Sequence, residues 1–206
     1  MGNRMDRRNE TLKPTSDRRP FLPKWTWFVA VMLLLLPAAP ASSQTIWDMY
    51  IQCTGGDAGN LNSGDLSAAS VGDFWDPNHL DWGGVKGYWE AAQVPMDMTG
   101  SPLGNREHAG ISIVKMRSKS SPLYMDALVN KAQLSCTIEF WVEQPPPTGK
   151  LKFYSVVLTN ARIASIELNG TTGNADETVT FHAEQITWTH HQASTTYSDN
   201  LTVVPP

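Results

Sequence analysis

The chain is 206 residues long and carries 16 Lys and Arg against 20 Asp and Glu, a net charge of −4, with only two cysteines. Seven of the basic residues but only 3 of the acidic ones fall in residues 1–41, so the remaining 165 residues hold 9 basic against 17 acidic side chains, a net charge of −8. A surface that acidic repels phosphate backbones and excludes nucleic acid as a natural partner, while 165 residues suit one domain with a core of its own.

Residues 1–41 read as a secretory signal: a basic stretch, an apolar run at 25–36 and the small-residue cleavage pattern Ala39-Pro40-Ala41. The apolar run is shorter than the roughly 20 residues a spanning helix needs, so no membrane anchor is expected after cleavage. Arg18-Arg19 followed by Phe21 and Leu22 resembles the twin-arginine export motif, with Asp17 where Ser or Thr is usual and Lys24 one place late. The segment fits either that route or general secretion. Both lead to a periplasmic or extracellular location in a bacterium.

The mature chain opens on a strand at 46–54, in which Trp47, Met49, Ile51 and Cys53 alternate with Asp48, Tyr50 and Gln52 before Gly55-Gly56. Residues 57–84, rich in Gly, Asp, Asn and Ser, read as a long surface loop or an insertion. Its Asp57, Asn60, Asn62 and Asp65 are oxygen donors of the kind calcium takes, but their spacing matches neither an EF-hand loop nor a calcium-binding repeat, and a solvated loop is the better reading. Strands follow at 85–94, centred on Tyr88 and Trp89, and at 111–117, with a Pro/Gly-rich connection between them.

Ser120 or Ser121 is placed to cap a helix that has Pro122 in its first turn and Leu123, Met125, Leu128 and Val129 as its apolar residues. From Leu134 the period becomes two: Leu134, Cys136, Ile138 and Phe140 share one face, and Ser135, Thr137 and Glu139 the other. The proline run at 145–147 turns the chain back, so 150–158 should pair with 134–142 as a hairpin. A strand at 163–168 and a turn at 169–177 precede a long strand at 178–189. Its apolar face switches from Val179, Phe181 and Ala183 to Ile186 and Trp188, as a bulge near Glu184 would produce. The polar tail at 190–206 is expected to be mobile or used only in assembly. One helix among strands implies an all-β barrel or sandwich with a single packed helix.

Cys53 and Cys136 would meet an oxidising compartment after export. They can form a disulfide where the two strands bring their Cβ atoms within about 4.5 Å, or stand as two buried thiols. No catalytic constellation is present, neither G-x-S-x-G, H-E-x-x-H nor C-x-x-C, so a non-enzymatic protein without a cofactor is expected. His182, Glu184, His190 and His191 could make a surface metal site, although a polar strand face is the simpler reading. Trp75, Trp82, Tyr88 and Trp89 could form a platform for sugars. Alternatively, Tyr88 or Trp89 packs inside while Trp75 and Trp82 pin the loop.

Taken in order, the segments resemble the haemolysin-coregulated protein (Hcp) family, tube subunits of the bacterial type VI secretion system. The resemblance lies in 47–54 with its Gly-Gly, in 85–93 with Tyr88-Trp89, and in 111–134, where a strand containing a Lys leads into a Ser-Pro helix start. It is most specific in 154–168, with Asn160 and Ile163, followed by 177–181 and 186–189. It implies a mainly β fold, a β-barrel-like pair of packed sheets with one α-helix alongside, spanning 42–189. It also implies a homohexameric ring, rings stacked into a hollow tube, and secretion effectors as cargo in the lumen. The chain departs from that pattern in its signal-like N-terminus and in the length of 57–84. Alternatives are an exported scaffold outside a contractile system, or an exported binding module for carbohydrate or calcium.

Overall fold

The computed structural model describes residues 47–57, 59–144, 149–171 and 174–202. The signal residues Arg18, Arg19, Phe21 and Leu22 and the cleavage residues Ala39 and Ala41 lie outside them. Eight strands run as β1 (Trp47–Gly55), β2 (Gly83–Gln93), β3 (Glu107–Met116), β4 (Leu134–Glu143), β5 (Lys150–Thr171), β6 (Asn174–His182), β7 (Gln185–His190) and β8 (Thr195–Asn200). Helix α1 (Ala68–Val71) is a single turn in the β1–β2 connection, and α2 (Ser121–Val129) lies between β3 and β4.

All pairings are antiparallel. β1 sits between β4 and β2, β2 pairs with β3, β3 with β6, and β6 with the distal part of β5. The proximal part of β5 returns to β4, which closes a circuit of six strands. β7 then adds to the other edge of proximal β5, and β8 adds to β7. The closure depends on β5, which at 22 residues is long enough to serve two sets of neighbours. Its direction changes around Asn160, at φ 53°, and a register shift follows between Ile163 and Ser165. Asparagine is one of the few side chains that tolerate this left-handed backbone.

The expected β4–β5 hairpin forms, with Ile138 opposite Val156 and Phe140 opposite Tyr154. Three readings change. The strand expected at 163–168 is the continuation of β5, and its turn narrows because pairing runs on to Thr171 opposite Asn174. The single strand expected at 178–189 is two, broken at Ala183 and Glu184. The two parities serve different partners: Val179 and Phe181 face the core from β6, and Ile186 faces it from β7. The polar tail contains β8, whose Asp199 is buried.

The core joins Ile51, Ile113, Ile138, Leu158, Val179 and Phe181 from five strands. Helix α2 closes one side of it with Tyr124 and Ala127 buried and Leu123 and Leu128 partly so, an i, i+3, i+4 stripe. Met125 and Val129, expected on that stripe, are exposed. Cys53 lies directly opposite Cys136 in the β1–β4 ladder with Cα atoms 4.1 Å apart, and the two are joined as a disulfide across 83 residues of sequence. No helix among the described residues is long and apolar enough to cross a membrane.

Candidate functional site

The connection 57–82 is solvated over much of its length but anchored by buried side chains. Asn62 and Asp65 are buried beneath it, and their polar atoms are fully used. The Asn62 carbonyl accepts from the Cys53 backbone N–H (2.9 Å) and the Tyr124 hydroxyl (3.1 Å), while its amide donates to Asp65 (3.1 Å). Asp65 in turn accepts from the backbone N–H (3.0 Å) and hydroxyl (2.7 Å) of Ser120. Ser120 therefore does not cap α2 with its own side chain, as the sequence suggests. The Asp65 carboxylate stands at the helix N-terminus instead, where the helix dipole favours an anion. Gly83 makes room for this arrangement, since a Cβ there would meet Asn62 at 2.8 Å and Asp65 at 3.0 Å. Of the residues that suggested calcium, Asn62 and Asp65 are thus spent on holding the loop to the sheet and helix, Asn60 accepts from the Asn62 backbone, and Asp57 is exposed.

Next to this network, Lys115 and Glu177 form an ion pair of 2.8 Å with both side chains almost wholly buried. Desolvating two charges is tolerable only when their remaining hydrogen-bonding capacity is met. Here the Lys115 ammonium also donates to Ser118 Oγ and the Met116 carbonyl, and it lies 5.2 Å from the Tyr124 ring centroid. Glu177 also accepts from the Ser121 hydroxyl at 2.8 Å. The pair joins β3, β6 and the start of α2 at one point.

On the outer face of β1, Tyr50 stacks on His79 at 3.7 Å between ring centroids, with Trp141 and Trp82 meeting the imidazole edge-on. The Tyr50 hydroxyl donates to Asp76 at 2.7 Å, and His79 Nδ1 lies 3.1 Å from the same oxygen. Burial and the neighbouring Asp76 push the Tyr50 phenol well above its ordinary value. Burial works against the charge on Asp76, yet hydrogen bonds from Tyr50, the Asn78 backbone and His79 together hold its carboxyl below the usual range. Trp82 pins the loop here, but Trp75 remains 49% exposed. Tyr88 packs edge-on against Phe140 inside the circuit, and Trp89 is exposed. The four aromatics proposed as one platform are therefore divided among three places.

At the opposite end, Arg106 clamps Asp199 of β8 with two nitrogens, and His108 Nε2 lies 3.2 Å from the same carboxylate. The bond from Arg106, and then that from His108, hold the Asp199 carboxyl below the usual range against a smaller opposing effect of burial. These three residues were not singled out in the sequence, because 91 or more residues separate Asp199 from its two partners. The histidines and glutamate suggested as a metal site are not brought together. Glu184 accepts from Asn160, His190 accepts from the Ala193 backbone, and His191 meets Ser155. No group of three metal-ligating side chains occurs among the described residues.

Between β2 and β3 the chain carries a run of apolar side chains in water. Met98 is fully exposed, with Met96, Leu103 and Val94 at 58%, 56% and 41%. The segment is nonetheless ordered by its own contacts. Met96 bridges Pro102, and Asp97 accepts from the backbones of Thr99 and Ser101 and from the Thr99 hydroxyl, bonds that lower its carboxyl below the usual range. These apolar side chains are therefore open to contact.

Residues 50–190 match the model of the family described as type VI secretion system effector, Hcp. The chain belongs to the Hcp family. It is 31% identical over 160 residues to the major exported protein of Pseudomonas aeruginosa, covering 73% of this chain and 93% of that one. A crystal structure of an Hcp protein superposes with a TM-score of 0.71 at 25% identity, over 76% of this chain and 98% of the other. The secreted protein Hcp3 from Pseudomonas aeruginosa gives 0.63 at 26%, over 75% and 98%. As an Hcp protein the chain is a type VI secretion component of a family of structural tube proteins, mainly β in fold with a helix alongside, as its sequence implied.

Proposed function

We propose that the chain is a non-catalytic subunit of a homohexameric ring, that rings stack into a secretion tube, and that the lumen carries effectors. The observation that carries the reading is the pair of unlike open edges on one molecule. β8 ends the sheet with no strand beyond it among the described residues, and from Arg162 onward β5 pairs with β6 alone. A ring needs a heterologous contact, one patch meeting a different one with a rotation that closes, and exposed strand edges are natural templates for it. The exposed methionines between β2 and β3 supply apolar contact for stacking.

Export by the signal in residues 1–41 and a Cys53–Cys136 bridge formed after export belong to the same proposal. Light scattering of the purified chain, with negative-stain images of the same fraction, tests assembly. Hexamers with a central hole are expected, and a monomer at every concentration would refute the ring. The N-terminal mass of the exported protein tests processing, with a start near Ser42 expected and an intact Met1 refuting cleavage.

A further inference from the structure

The connection 57–82 carries a surface feature outside the two strand edges invoked for the ring. Phe74 and Trp75, at the end of the short 3-10 turn Gly72–Phe74, are 72% and 49% exposed. The backbone that presents them is fixed. Asp76 N–H donates to the Leu66 carbonyl, Asp76 is bound by Tyr50, and Ser70 accepts from the Lys119 backbone. Two adjacent aromatics exposed on a fixed backbone contribute little to the core and offer apolar faces to a ligand.

They flank a groove of about 490 Å³ whose rim includes Asp48, Asp73, Asp76, Lys86 and Lys150. Lys150 pairs with Asp48 at 2.7 Å and Lys86 with Asp176 at 2.8 Å, so both ammonium groups are matched and Asp73 and Asp76 leave the rim slightly acidic. Asp73 is exposed and makes no hydrogen bond among the described residues. A polyanion would meet three carboxylates in this groove, and a polycation two ammonium groups. A neutral polyhydroxylated ring suits both. Its hydroxyls donate to carboxylates and accept from ammonium groups, and its C–H face lies against an aromatic ring.

We propose that this groove binds a neutral saccharide, with one sugar ring stacked on Trp75 beside Phe74 and its hydroxyls bonded to Asp73 and the Lys150–Asp48 pair. The site is independent of ring formation. The test is a glycan array followed by titration of chitotetraose and maltotetraose into the purified full chain, read by tryptophan fluorescence. A neutral glycan should bind. Trp75→Ala should weaken it about tenfold or more, Asp73→Asn should weaken it less, and Trp89→Ala, an exposed tryptophan on β2, should leave it unchanged.

Binding of no glycan, binding of anionic glycans alone, or binding that survives Trp75→Ala would overturn the proposal. So would a Trp75→Ala change in oligomer mass without glycan binding, since the groove would then be a subunit contact. Light scattering on the same samples separates the two readings, because a monomer that binds glycan keeps this site and loses the ring.

Discussion

Lys115 and Glu177 lie so deep that each is tolerated only because the other is present. Lys115→Met alone should cost about 3–5 kcal/mol in urea unfolding, because it strands a buried carboxylate, and Lys115→Met with Glu177→Leu should recover most of that loss. Asp199 tests a different kind of dependence. Its carboxyl is lower in the folded chain than in the unfolded one, so the Arg106 clamp adds stability above the unfolded value near pH ~3.9 and loses it as pH falls through the folded value. Asp199→Asn should therefore be clearly less stable than the parent at pH 7. The gap between the two urea midpoints should close in acid, and a gap that stayed constant would contradict the clamp. The exported chain should show no free thiol after denaturation, and changing Cys53 and Cys136 to Ala should cost about 2–5 kcal/mol.

At the level of elements, the open edge of β8 gives a sharp test. Successive N–H groups along a strand point to opposite edges, so of Thr196 and Tyr197 one donates toward β7 and the other outward. A proline at the outward position should preserve the fold and abolish oligomers, whereas a proline at the other should destabilise the monomer. If both variants assemble like the parent by light scattering, the β8 edge is not an interface.

The elements also show what a sequence can carry. The period change at Leu134, the β4–β5 hairpin and the strand centred on Tyr88 were legible because alternation and proline turns are local signals. The break between β6 and β7 was visible as a parity switch, yet whether such a switch makes a bulge or a corner depends on which neighbours are in reach. β8 was missed because TTYSDN is polar throughout and forms by adding to β7, not by burying a face. At the site, the composition of 57–84 pointed to solvent because Asn62 and Asp65 are ordinary loop residues. Their burial follows from Ser120 and Tyr124, about 55 to 62 residues away.

For the whole molecule, a net charge of −8 on residues 42–206 sets the conditions for assembly. Like-charged subunits repel when they close a ring, and salt screens that repulsion, with a Debye length falling from about 30 Å at 0.01 M to about 10 Å at 0.1 M. Oligomers should therefore persist to lower protein concentration at about 0.3 M salt than at 0.02 M. The reverse trend in sedimentation would mean that charge pairs, and not apolar and strand contacts, hold the subunits together.

The closed circuit also mixes local and distant pairings. β4 and β5 are neighbours in sequence and can zip early, but β1 must find β4 across some 80 residues, and such distant pairings are slow to form. Cys53 and Cys136 face each other only once that ladder is in place. Their thiols therefore report on one ladder: they become able to join when β1 meets β4, and oxidation with any other partner would hold β1 away from its place.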